Sequence, residues 1–202
     1  SGGRLFIVRS GTCTFGGWLG QQHPLRIIDS NCTFGSTFFG PSVVTTERFI
    51  QRGPTFLGGD VEIHTEPDGE VVVDGSVDSQ AGSGGRVFIV RSGTCTFGGS
   101  LGQQHPLRII DSNCTFGSTF FGPSIVTTER FIQRGPTFLG GDVEIHTEPD
   151  GEVVVDGAVD SQAGSGGRLF IVRSGTCTFG GSLGQQHPLR IIDSNCTFGS
   201  TF

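Results

Sequence analysis

The chain has 202 residues, 35 of them Gly and 18 Phe, with no Lys, Met or Tyr, a single Trp and a formal net charge of −6. The aromatic content argues against disorder, the acidic balance argues against nucleic acid as a partner, and no apolar run approaches the ~18 residues of a membrane-spanning helix. The longest stretch free of Gly and Pro, 42–52, holds Val43, Val44, Thr45 and Thr46, β-branched residues that favour strand over helix.

The run Ser1-Gly2-Gly3-Arg4-Leu5-Phe6-Ile7-Val8-Arg9 returns at Ser83 and again at Ser165, a period of 82 residues. Three units follow: 1–82, 83–164 and a partial 165–202. The first two differ only at Leu5/Val87, Trp18/Ser100, Val43/Ile125 and Ser76/Ala158. The aliphatic exchanges suit a core position, and the Trp/Ser exchange reads as a surface position.

Within each copy, strands are expected to begin near Leu5, Leu25, Val43 and Val61, with starts 20, 18 and 18 residues apart, followed by a strand over 70–74. Turn signals separate them, among them Gly16-Gly17, Gly40-Pro41, Gly53-Pro54 and Pro67-Asp68-Gly69. The segments echo one another. Thr12-Cys13-Thr14-Phe15 aligns with Asn31-Cys32-Thr33-Phe34, and Phe56 falls in a looser third version. With a one-residue gap, Leu5 lies over Leu25 and Ile7 over Ile27. Like residues at such spacing suit a coiled parallel sheet whose turns stack at ~4.8 Å. Alternation then sends Leu5, Ile7, Cys13 and Phe15 inward and Thr12 and Thr14 outward. Each copy is expected to make about four coils.

The stretch 69–89, Gly-Glu-Val-Val-Val-Asp-Gly-Ser-Val-Asp-Ser-Gln-Ala-Gly-Ser-Gly-Gly-Arg-Val-Phe-Ile, resembles the coil-and-loop pattern of bacterial surface proteins with right-handed parallel β-helices. These include the filamentous-haemagglutinin-like adhesins and the pectate-lyase-like solenoids. The resemblance covers about a quarter of each copy and is compositional. It implies an extracellular right-handed parallel β-helix (β-solenoid) and carries over no catalytic residue. The competing architecture is a string of immunoglobulin-like β-sandwiches, one per copy. The internal echo has no role in a sandwich, and no linker separates the copies, so one continuous solenoid is the expectation.

Three cysteine pairs, Cys13/Cys32, Cys95/Cys114 and Cys177/Cys196, are each separated by 19 residues. No Cys-x2–4-Cys knuckle of a metal site occurs. On adjacent coils the two members lie within the ~4.4–6.8 Å Cα span of a disulfide, which implies an oxidising compartment; buried free thiols are the alternative. The sequons at Asn31, Asn113 and Asn195 are candidate glycosylation sites. The acidic stretch 60–78 offers Asp60, Glu62, Asp74 and Asp78 as weak calcium candidates or as carboxylate pairs for polysaccharide cleavage. Near-identical copies suit polymer structure or avidity better than a single catalytic site, so no enzyme and no cofactor is expected. His23 and His64 read as turn and surface residues. Each copy joins an Arg-bearing part, residues 1–52, to the acidic 60–78; the first reading of the acidic stretch is a solvated face that keeps a Gly-rich chain soluble, and the alternation also supports self-association. The expected role is a structural extracellular fibre or adhesin stalk whose partner is itself. A repeat module that binds surface glycans by avidity is the alternative.

Overall fold

A computed structural model describes residues 4–8, 12–28, 31–82, 86–111, 113–117, 119–164, 168–193 and 195–199. All regular structure among them is β-strand. The first copy supplies β1 (Arg4–Ile7), β2 (Cys13–Leu19), β3 (Leu25–Ile28), β4 (Asn31–Phe39), β5 (Ser42–Gln51), β6 (Thr55–Leu57), β7 (Val61–Val73) and β8 (Val77–Ser79). The second supplies β9 (Arg86–Arg91), β10 (Thr94–Phe97), β11 (Leu107–Asp111), β12 (Asn113–Phe116), β13 (Thr119–Phe121), β14 (Ser124–Gln133), β15 (Thr137–Leu139), β16 (Val143–Val155) and β17 (Val159–Ser161). The third supplies β18 (Arg168–Arg173), β19 (Thr176–Phe179), β20 (Leu189–Asp193) and β21 (Cys196–Phe198).

Every pairing is parallel, and each strand pairs with the strand one turn away, so the chain winds as a β-solenoid of about eight full turns flanked by partial ones. Three ladders form its walls. The first runs β1, β3, β5, β7, β9, β11, β14, β16, β18, β20. The second runs β2, β4, the later halves of β5 and β7, β10, β12, the later halves of β14 and β16, β19, β21. The third joins the ends of β2 and β4 to β6 and β8, passes Leu101, and continues through β13, β15 and β17 to Leu183. The ladders run unbroken between copies, since β7 pairs with β9 and β10, and β16 with β18 and β19. Stacking satisfies each strand's N–H and C=O groups from the turns on either side.

The interior consists of columns. In the second ladder Cys13 lies in register with Cys32, Thr14 with Thr33 and Phe15 with Phe34, as the sequence echo requires. Phe15 and Phe34 stack at 5.1 Å and Phe34 and Phe49 at 4.6 Å; Phe97, Phe116 and Phe131 repeat this at 5.1 and 4.7 Å.

Two expectations are corrected. Phe56 is not part of this column: it lies on the third ladder, 39% exposed; Gln51 occupies the register position over Phe34, and Phe49, in register with Cys32, stacks its ring on Phe34 from the neighbouring column. The phase of the first ladder is also shifted. Arg4 faces Leu25 and Phe6 faces the buried Ile27, so the register turns Leu5 and Ile7 outward. In the second copy Phe88 and Val90 are buried while Val87 and Ile89 are only half-buried. The run Leu5-Phe6-Ile7-Val8 is apolar at every position, so its alternation carries no phase. The corner after it holds two residues more than the corner after Ile28, not one, and a one-residue slip exchanges the two faces of a strand.

Truncating a stacked ring should therefore cost far more than truncating an exposed one. Phe34→Ala is expected to lower unfolding free energy by about 3–5 kcal/mol and Phe56→Ala by less than about 0.5 kcal/mol, read from urea unfolding followed by circular dichroism. Equal effects would contradict the column assignment.

Candidate functional site

Four sets of residues carry chemistry, and the turn-on-turn stacking positions all of them. The cysteines occupy one column of the second ladder, beside the Phe column. Cys13 is bonded to Cys32, Cys95 to Cys114 and Cys177 to Cys196, with Cα separations of 4.5, 4.6 and 4.4 Å. Each bond ties two successive turns at a position where parallel pairing already holds the backbones together. No free cysteine remains among the described residues. Three disulfides mark an oxidising environment.

The predicted calcium residues do not converge. Asp60 accepts from Val87 N–H at 3.0 Å. Glu62 Oε1 lies 2.9 Å from His64 Nε2 and 3.5 Å from Arg91 Nε, and Glu144 repeats this with His146 and Arg173. Asp74 is exposed at a strand end. Asp78 is buried, and its carboxylate accepts from Gln104 N–H at 2.7 Å and His105 N–H at 2.8 Å. Asp160 holds Gln186 and His187 in the same way. The sequence reading placed Asp78 with the surface acids. In the fold it fastens the 103–106 turn of the next coil, a distance of 26 residues along the chain. Among the described residues no group of three His, Cys, Asp or Glu could hold a metal ion.

The Asn31 and Asn113 side chains lie outside what the structure describes. Asn195 is exposed and donates through Nδ2 to the Gly175 carbonyl at 3.1 Å. His23 is exposed, and Trp18, read as a surface residue, is 67% exposed. Trp18 and Phe56, with Pro54, flank an apolar hollow of about 220 Å³ on the third wall.

Two buried polar centres had no clear sequence signal. Gln51 ends β5, directly after Phe49 and Ile50, and sits in the column above Phe34. Its Nε2 donates to the Gly53 carbonyl and to Thr55 Oγ1 at 2.9 Å, and its Oε1 accepts from Gly75 N–H at 3.1 Å. A Cβ at Gly75 would collide with the Gly53 carbonyl and with Gln51 Nε2, so this corner needs glycine for close approach. Gln133 repeats the arrangement with Gly135, Thr137 and Gly157. The second centre is Asp111. Its Oδ1 accepts from the Thr128 hydroxyl and, at 3.3 Å, from Cys114 N–H, while Oδ2 is buried without a partner. Burial pushes the Asp111 carboxyl up to about 7 and nearby Glu129 adds to the rise; the bonds from Thr128 and Cys114 oppose it.

Comparison with protein-family models, curated proteins and solved structures finds no match.

Folded Asp111 binds a proton that an unfolded Asp releases near pH 3.9. Stability should therefore fall as pH rises from about 4 to 7 and level off above that, by up to about 4 kcal/mol. Asp111→Asn should remove this part of the slope, as pH-dependent thermal unfolding of the two proteins would reveal. Reduction of the three disulfides should lower stability by roughly 3 kcal/mol for each loop closed, measured by denaturation with and without reductant.

Proposed function

We infer that this chain is part of an extracellular structural fibre or adhesin stalk, comparable in role to the filamentous-haemagglutinin-like β-helices rather than to the pectate-lyase-like enzymes. The observation that carries the reading is the unbroken parallel ladder across copies, with one disulfide at the same place in each. A solenoid of this kind gains length and stability copy by copy, because each turn contacts only its neighbours. The disulfide adds covalent resistance to unwinding where two turns are already paired. The role is mechanical and not catalytic. In support, the acids best suited to chemistry are engaged elsewhere: Asp78 by two backbone amides, Glu62 by His64 and Arg91. The copies also preserve one another's residues almost everywhere, as repeated structure requires.

A second reading, glycan binding at the outer surface, is favoured by one observation, the aromatic hollow of Trp18 and Phe56. It exists in this form only in the first copy, because Ser100 and Ser182 replace Trp18 in the others. Glycan-array binding lost in Trp18→Ser would establish it.

The fibre reading is tested by electron microscopy of native material labelled with an antibody to the repeat. Filaments with an axial repeat of about 19 Å, four turns at ~4.8 Å, are expected. Dispersed soluble particles would overturn it.

A further inference from the structure

The first wall is apolar on its inner face and alternates aliphatic with charged or polar residues on its outer one. Inward it presents Ile27, Val44, Ile63, Phe88 and Val90. Outward, successive turns present Leu5 and Ile7, Arg26 and Ile28, Val43 and Thr45, Glu62 and His64, then Val87 and Ile89, with the same order in the next copy. Parallel sheets of this character are ordinarily covered on both sides. Of the outward aliphatics, Ile28, Val43, Val87, Ile89, Ile125 and Ile171 are half-buried; the higher exposure of Leu5, Ile7 and Ile192 belongs to the terminal turns, where inward Phe6 is 47% exposed as well.

The charges along this face are ordered. Counting turns by the strands of the first ladder, Arg26 lies on turn two, Glu62 on four, Arg108 on six, Glu144 on eight and Arg190 on ten. Aliphatic residues dominate the odd-numbered turns. The three arginines are exposed and make no ion pair among the described residues. Glu62 and Glu144 approach His64 and His146 at 2.9 and 3.3 Å, and Arg91 and Arg173 at 3.5 Å, and their side chains stay 31% and 28% exposed. Shallow grooves of about 210 and 320 Å³ lie beside these acids, floored by Val43 and Ile89 in one copy and by Ile125 and Ile171 in the next.

We propose that the outer face of the first wall is a self-complementary docking surface whose partner is a second, antiparallel copy of this chain. A twofold axis at turn five sets turn two against turn eight and turn four against turn six. Arg26 then meets Glu144 of the second copy and Glu62 meets its Arg108, while the aliphatics of the odd-numbered turns meet one another; Arg91, outward on turn five, faces its counterpart across the axis and is held to Glu62 of its own chain at 3.5 Å. The methylene stem of each arginine fills the groove beside the acid it meets. A shift of one turn sets charges against aliphatics, whereas any axis on an odd-numbered turn sets arginines against glutamates, so the phase of the pairing is specified as well as the face. Nine turns at ~4.8 Å and about five residues at ~3.3 Å outline roughly 700 Å² per partner, close to the ~800 Å² of a standard specific interface. The stripe drifts sideways by two residues per copy, so superposing two antiparallel stripes makes the solenoids cross rather than lie parallel. This deepens the fibre reading and rests on it: the wall gives lateral pairing, distinct from end-to-end growth.

Sedimentation velocity over a range of concentrations tests it, with charge reversal on the 202-residue chain. The wild-type chain should dimerise. Arg108→Glu alone and Glu62→Arg alone should each weaken dimerisation about tenfold or more, by setting like charges opposite each other. A one-to-one mixture of the two variants should restore dimers, because each reversed residue then meets its opposite; a folding defect would not be rescued by mixing. Polymers that ignore both reversals would overturn this inference and leave the fibre reading standing. Monomers at every concentration would overturn it as well, whereas the fibre reading falls only if native material shows no filaments.

Discussion

Backbone pairing between one turn and the next is the constraint on which the rest of this molecule depends. A parallel ladder fixes strand spacing at ~4.8 Å and obliges residues on neighbouring turns to share a column. Inside a closed coil a small residue under a large one leaves a void unless a ring from the neighbouring column fills it, as Phe49 does over Phe34. Phe15 and Phe34 answer this by identity. Cys13 and Cys32 answer it by bonding, at a Cα separation the ladder imposes in any case. The disulfide reinforces a register that exists without it.

What the ladder does not fix is the length of chain spent at the corners. Register partners on the first wall lie 21, 17, 19 and 27 residues apart through one copy. The corners absorb the difference, and the buried polar groups gather there. Gln51 joins Gly53, Thr55 and Gly75 where the second wall gives way to the third. Asp78 fastens the turn that precedes the next coil's first strand. Asp111 sits between the first and second walls with Thr128 and Cys114. Each occupies backbone or hydroxyl donors that a bend in the ladder leaves without strand partners.

The walls also differ on the outside. On the second wall the outward residues next to the disulfides are threonines, and further on the ion pair Arg48–Glu70 at 2.7 Å, repeated by Arg130–Glu152 at 2.8 Å. Both pairs are well exposed and contribute little to stability. The first wall sets aliphatic residues between charges that recur every second turn. A fibre needs such asymmetry, since a surface alike on all sides would associate without register.

The sequence by itself determined the repeat, the strands and the column of Cys and Phe, because identical residues at 19-residue spacing can coincide only if the chain returns to the same place once per turn. It also determined the all-β class, since Gly, Pro and β-branched residues leave no room for helix. Only the tertiary structure decided the phase of Leu5-Phe6-Ile7-Val8, which is apolar on both faces and so holds no alternation to read. The same holds for the exclusion of Phe56 from the core and for the roles of Gln51 and Asp78. Those depend on how many residues each corner consumes, and corner length is settled by contacts between turns 17 to 27 residues apart rather than by local pattern.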